Sequence, residues 1–158
     1  MNIRQFQYLG GRVKRASFAP SLLQTDGSFR RTKGRAAALL VHNSYTYSNV
    51  WNLQHAADSY EAEWASVYHG LLFSMNNNAY NLHIENDNQG VILNLLAYTH
   101  TKQKPHIAEY REAILHLTKD TERTAIRWIP RGINRADDLF HSQRKTLSCE
   151  RTCNGTGK

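Results

Sequence analysis

The chain is poor in the residues that cross-link or interrupt small folds: two cysteines and three prolines in 158 residues. Cys149 and Cys153 both lie near the C-terminus, so no disulfide framework can staple the rest of the chain. Their C-x3-C spacing lacks the remaining ligands of a structural zinc pattern, and the pair reads as reduced thiols in a frayed tail. Long apolar runs are missing too. Nothing approaches the about 20 consecutive apolar residues that span a bilayer, because His, Asn or Gln breaks each candidate, and a soluble protein with no membrane partner is expected. The opening MNIRQFQYLGGRVKRASFAPS has no continuous apolar segment, so a secretory signal is not expected. Its basic, acid-free composition is also that of organellar leaders. The cytoplasm is the expected location, with an organelle as the alternative. Internal repeats are absent, and Asp26-Gly27-Ser28 is not a glycine-rich phosphate loop.

Acidic residues are scarce where basic ones gather. The chain carries 20 Lys or Arg against 13 Asp or Glu, a net charge of +7, which favours polyanionic partners. Arg4, Arg12, Lys14, Arg15, Arg30, Arg31, Lys33 and Arg35 crowd residues 1–35, where Asp26 is the single acid. A lone carboxylate in such a field calls for a specific role. With 41% hydrophobic residues and the length of one core, the chain divides into a basic N-terminal arm (1–20), one folded domain (21–144) and a C-terminal tail (145–158).

Within the domain, SLLQTDGSF at 21–29 reads as a strand running into an Asp-Gly turn. The apolar run at 34–45, followed by Tyr47, Val50 and Trp51, reads as two strands joined near Asn43-Ser44, on β-branched and aromatic content. From Asp58 the period changes. Ala62, Ala65, Tyr68, Leu72 and Met75 recur at three- and four-residue spacings, the apolar stripe of a helix, and Asp58 with Glu61 forms a capping box. NAYNLHIEND at 78–87 is the next strand and QGVILNLLAY at 89–98 a short apolar helix. A helix after Pro105 follows, with Ile107, Tyr110, Ile114 and Leu117 inward, and then a strand over 124–130. NRADDLFHSQRK closes as a helix. The order β-β-β-α-β-α-α-β-α predicts an α/β fold: a mixed five-stranded sheet with flanking helices. Trp51, Trp64 and Trp128 fall in strand or helix patterns and read as packing residues rather than base-stacking ones.

Acids stand at the edges of these elements: Asp26 in the first strand, Glu63 one turn into the first helix, Asp87 at a strand end, and Asp137 with Asp138 opening the last helix. Such a topology can gather them. Crowded carboxylates repel one another unless cations neutralise them, and paired divalent ions need carboxylate oxygens from several directions.

Four segments carry a resemblance: TDGSF at 25–29, SYEAEWASVYHGL at 59–71, ENDNQGVI at 85–92 and IPRGINRADDLF at 129–140. In this order they resemble the ribonuclease H family over residues 21–144, including the reverse-transcriptase-like branch with Pro-Arg in the loop before the final helix. The resemblance implies a ribonuclease H-like fold and a metal-dependent endonuclease that hydrolyses the RNA strand of RNA–DNA hybrids. It makes Asp26, Glu63, Asp87 and Asp137 the catalytic acids, holding two Mg2+ ions, with Mn2+ as a substitute. Matching Arg135-Ala136-Asp137 selects Asp137; counting from Asn134 selects Asp138 instead, and the alternative stays open. Pro130-Arg131-Gly132 stands where many members carry a mobile histidine, and His141 reads as a surface residue beyond the site. Nucleic-acid contacts are expected from Arg12, Lys14 and Arg15 in the arm, from Arg30, Arg31, Lys33 and Arg35 beside Asp26, and from Arg131. Two competing readings remain, a nuclease of this fold acting on another nucleic acid and a noncatalytic binding or assembly subunit; the sequence names no protein partner.

Overall fold

The computed structural model describes residues 1–16, 18–97 and 103–142. Strand β1 (Gln7–Gly10) precedes a meander of β2 (Ser21–Arg30), β3 (Lys33–His42) and β4 (Tyr45–Leu53). Helix α1 (Ser59–Asn76), strand β5 (Asn81–Asn86), helices α2 (Gln89–Leu96) and α3 (Pro105–Thr118) and strand β6 (Arg123–Trp128) complete the body. A 3-10 turn over Arg131–Ile133 leads into a closing helix over 136–142.

The strands form one mixed sheet in the order β1-β6-β5-β2-β3-β4. Its centre is parallel, β2 with β5 and β5 with β6, and its flanks are antiparallel. The α/β expectation with flanking helices is met, but the sheet has six strands rather than five. The extra strand comes from the arm, which is not irregular: Gln7 pairs with Ile126 and Tyr8 with Ala125. Just before it, the Trp128 amide donates to the Ile3 carbonyl at 2.7 Å. Pairing of this kind satisfies a sheet edge that would otherwise offer unpaired backbone groups. The C-terminal tail, with Cys149 and Cys153, lies outside the described residues.

Turn positions follow backbone chemistry. The β3–β4 hairpin turns at Asn43 and Ser44, both left-handed (φ 50° and 66°), as two-residue hairpins require. The β2–β3 turn falls at Arg31 and Thr32 (φ 50° and 64°), not at Asp26-Gly27, which lies inside β2. Asp58 caps α1: its Oδ1 accepts the Glu61 amide at 2.8 Å, while Glu61 Oε2 accepts the Ala57 amide at 2.6 Å. The inward face of α1 is displaced from the expected stripe. Trp64, Val67 and Leu71 are fully buried with Ala62 and Ala65, whereas Tyr68, Leu72 and Met75 are only partly covered.

The main core lies between one sheet face and the first three helices, built on Leu23, Leu40, Trp64, Leu71, Ile84 and Ile126. The closing helix packs on the other face, where Ala136 and Phe140 meet Ala37, Val50 and Leu139. Burial from both sides explains the continuous apolar run at residues 36–40 in β3. Trp51 and Trp128 pack against the main core, as expected of structural tryptophans.

Candidate metal and nucleic-acid site

Asp26 owes its position to where a ladder stops. The β2–β5 pairing ends at Thr25↔Asn86, one residue short of Asp26, so a gap opens beyond the carboxyl end of β5, where ligands bind in sheets of this kind. Helix α1 approaches this gap closely enough that a Cβ on Gly27 would lie 2.4 Å from the Glu63 amide nitrogen. Glycine therefore admits the helix to the strand. Glu63 projects from the first turn and a half of α1, and its carboxylate is hydrogen-bonded by the Gly27 backbone and by Asn86 Nδ2 at 3.3 Å. Asp87 follows directly on β5.

The carboxylate oxygens of Asp26, Glu63 and Asp87 all lie within 4.8 Å of one another. Asp26 is 2% exposed and Glu63 9%. Burial, followed by the charges of Glu63, Asp87 and Asp137, pushes Asp26 up to about 9. Burial and Asp87 likewise push Glu63 up to about 7, against hydrogen bonds from Asn86, Asp26 and Gly27. Asp87 is raised as well, chiefly by burial, with Asn134 and Arg131 opposing. A protonated Asp26 thus donates to the Glu63 carboxylate: without a cation, a proton does the neutralising. One oxygen of Asp87, Oδ2, is buried with no hydrogen-bond partner. An orphaned carboxylate oxygen facing two more acids fits a divalent cation, a hard ion that takes oxygen ligands.

Asp137 completes the ring of charge from the opposite sheet face. It lines the same cleft, of about 510 Å³, with Ser28, Tyr60, Glu63, Asp87, Arg131 and His141. Asp138 is exposed and absent from that lining. His141 is not remote from the site. One helical turn after Asp137, its Nε2 stands 3.6 Å from Asp137 Oδ2 on the cleft wall; the i, i+4 spacing was the available signal.

The predicted basic contacts separate into groups. Arg30 and Arg131 line the cleft. Arg31 and Lys33 are exposed at the adjoining hairpin, and the Arg35 guanidinium lies 4.9 Å from the Phe140 ring centroid. Arg12, Lys14 and Arg15 do not flank the acids. The Arg12 amide bonds the Thr121 carbonyl at 3.1 Å, and Lys14 and Arg15 adjoin Asn81, at the opening of β5. The six steps of chain from Asn81 to Asp87 put them about 20 Å from the acids, at about 3.3 Å per strand residue.

Supporting residues escaped the sequence reading. Asn86 and Asn134 both donate to the Thr25 carbonyl, at 3.1 and 2.9 Å, satisfying an acceptor left free where the ladder ends. On the sheet face opposite α1, Glu85 accepts from Gln24 Nε2 at 2.9 Å and from Arg127 through two guanidinium nitrogens. Gln24 Oε1 in turn accepts the Arg135 amide at 3.1 Å. This buried bridge ties β2, β5 and β6 to the segment that presents Asp137. Asn86 directly before Asp87 was a faint signal; the Gln24–Glu85–Arg127 alignment exists only through strand register.

Solved structures share this architecture. A ribonuclease H1 of the halophilic archaeon Halobacterium salinarum is similar at a TM-score of 0.67 and 20% identity, covering 77% of this chain and 94% of that one. The N-terminal ribonuclease H domain of a Mycobacterium tuberculosis protein is similar at 0.67 and 17%, covering 81% and 98%. A ribonuclease H1, solved in complex with an RNA/DNA hybrid, is similar at 0.65 and 16%, covering 75% and 92%. No curated protein matches significantly by sequence. Residues 24–142, which hold every candidate acid, match the reverse transcriptase-like family, and the chain belongs to that family, with its ribonuclease H-like fold.

Proposed function

We propose that the protein is a metal-dependent endonuclease that hydrolyses the RNA strand of RNA–DNA hybrids, with Asp26, Glu63, Asp87 and Asp137 holding two Mg2+ ions. The observation that carries this reading is the buried triad with ligand atoms within 4.8 Å, beside a cleft whose other charged residues include Arg30 and Arg131. Bound there, divalent cations supply charge neutralisation at the scissile phosphate and a lowered pKa for water.

The chain's own residues set the conditions. Asp26, Glu63 and Asp87 approach from a strand, a helix and a strand end, so a bound cation meets oxygens from separate directions. Gly27 and Asn86 hold the Glu63 carboxylate in place through hydrogen bonds. Arg30 and Arg131 offer guanidinium groups to phosphates entering the cleft. His141, 3.6 Å from Asp137, is the one imidazole among the described residues of the cleft wall. Selection of RNA over DNA requires contact with 2′-hydroxyls, and Ser28, Ser59, Tyr60 and Asn88 are the neutral hydrogen-bonding side chains of the cleft wall.

The test is cleavage of end-labelled RNA–DNA hybrid, double-stranded RNA and double-stranded DNA in Mg2+ and in Mn2+, with Asp87→Asn alongside. Cutting restricted to the RNA strand of the hybrid and lost in the variant is the expected result. Cutting of another duplex moves the substrate assignment, and hybrid binding without cleavage by either protein overturns the catalytic one.

A further inference from the structure

The basic arm that the sequence placed near the acids has a site of its own. Lys14, Arg15, Phe18, Asn81, His83 and Arg123 surround a cavity of about 370 Å³ at the opening ends of β5 and β6, and no carboxylate lines it among the described residues. The loop is anchored to the sheet rather than draped over it. The Arg12 and Val13 amides bond the Thr121 and Glu122 carbonyls at 3.1 and 3.0 Å. Arg123 Nε donates to the Lys14 carbonyl at 2.8 Å, and Asn81 Nδ2 to the Phe18 carbonyl at 2.7 Å.

These bonds engage backbone carbonyls and, of the cationic heads, only Nε of the Arg123 guanidinium. Lys14 and Arg15 are exposed. The Arg123 guanidinium is oriented by its bond to Lys14 and by the Tyr8 ring, 5.9 Å from its centre. His83 stacks on Phe6 at 3.9 Å and contributes a ring face to the wall. Phe18 is 78% exposed, a large apolar ring left in water at a cavity that three cationic side chains also line. An aromatic face beside cations is how proteins hold an unpaired nucleotide: the base stacks while the phosphates meet the charges. A duplex keeps its bases stacked on one another, so an exposed stacking ring favours a single strand.

We propose that this pocket is a second nucleic-acid subsite, about 20 Å from the acids by strand rise, that binds single-stranded nucleic acid through Lys14, Arg15 and Arg123 with a base stacked on Phe18. Its choice of ligand rests on the nucleic-acid reading above; its geometry does not.

The test is fluorescence anisotropy of a labelled oligouridylate of about twelve nucleotides, titrated with the full chain in EDTA at about 50 to 200 mM salt. Lys14→Gln/Arg15→Gln is expected to weaken binding about tenfold and to lower the salt slope by about 1.4, at about 0.7 per phosphate contact on a single strand. Phe18→Ala is expected to weaken it about fivefold or more. All three side chains are solvent-facing, and melting curves matching the wild type establish that the variants fold. Cleavage of a short blunt hybrid is expected to be unchanged in both. Wild-type affinity in both variants overturns the subsite. So does displacement by polyglutamate as effective as by unlabelled oligouridylate, which marks a general anion sink. If the hybrid is never cut while oligouridylate binding follows the variants, the nuclease reading falls and the subsite stands.

Discussion

Replacing Gly27 with alanine probes the contact on which the acid cluster is built. The added methyl would lie 2.4 Å from the Ala62 carbonyl carbon and the Glu63 amide nitrogen, and 2.5 Å from the Ala62 carbonyl oxygen. All three are backbone atoms, so no side-chain rotation relieves them. Strand β2 and helix α1 must separate by about 1 Å to reach ordinary contact. Overpacking of this kind costs about 1–3 kcal/mol or more, offset by about 0.5–1 kcal/mol because alanine loses less backbone entropy than glycine. The upper part of that range applies here, leaving about 2–3 kcal/mol, or a Tm lower by about 4–12 °C for a chain of this size. The same displacement carries Glu63 away from Asp26, and a misplacement of about 1 Å lowers turnover by about 100-fold. Thermal melting with and without Mg2+, together with hybrid cleavage, measures both effects. Gly132→Ala is the control, since nothing lies within 4 Å of its added methyl. A Gly27→Ala protein with wild-type Tm and wild-type cleavage would refute the reasoning.

Other predictions follow from the same geometry. Asp26 and Glu63 hold their protons up to about 9 and about 7, against ordinary values of 3.8 and 4.5. The folded state therefore binds more protons than the unfolded one across that window, and metal-free stability falls as pH rises through it. Melting curves in EDTA from pH 4 to 9 should show this decline, flattened in Asp26→Asn and reversed by Mg2+ in the wild type alone. Asp137→Asn is expected to lower hybrid cleavage by about 100-fold or more, whereas Asp138→Asn stays near wild type in the same assay; the reverse order assigns the fourth position to Asp138. Glu85→Ala strips Arg127 and Gln24 of a buried acceptor. With Arg127 partly in water, about 2–3 kcal/mol is expected by guanidinium unfolding, and less for Glu85→Gln, which retains an amide oxygen for both partners.

Much of this protein was legible without coordinates because local chemistry and local period agree. Asp58 and Glu61 are close enough in sequence to cap a helix, and Asn43-Ser44 tolerates the left-handed backbone of a two-residue turn. The alternation in β6 and the run of apolar residues in β3 locate strands. The candidate acids were found because the four segments that carry them resemble, in order, those of the ribonuclease H family.

What the sequence could not decide depends on contacts between distant elements. Residues Gln7–Gly10 carry no strong strand pattern and become one only because β6 offers a free edge. Asp26-Gly27 has the composition of a turn, yet it lies in mid-strand, since the glycine serves a helix that arrives more than thirty residues later. That Asp137 lines the cleft while Asp138 is exposed is a matter of which helix face meets it. Arg12, Lys14 and Arg15 are near Asp26 in sequence, but the parallel β2–β5 pairing carries them to the other end of the sheet. Residue types and their spacing determined which chemistry the chain can hold. Register and burial decided which groups share a site, because charge and pKa depend on neighbours that only the folded sheet brings within a few ångström.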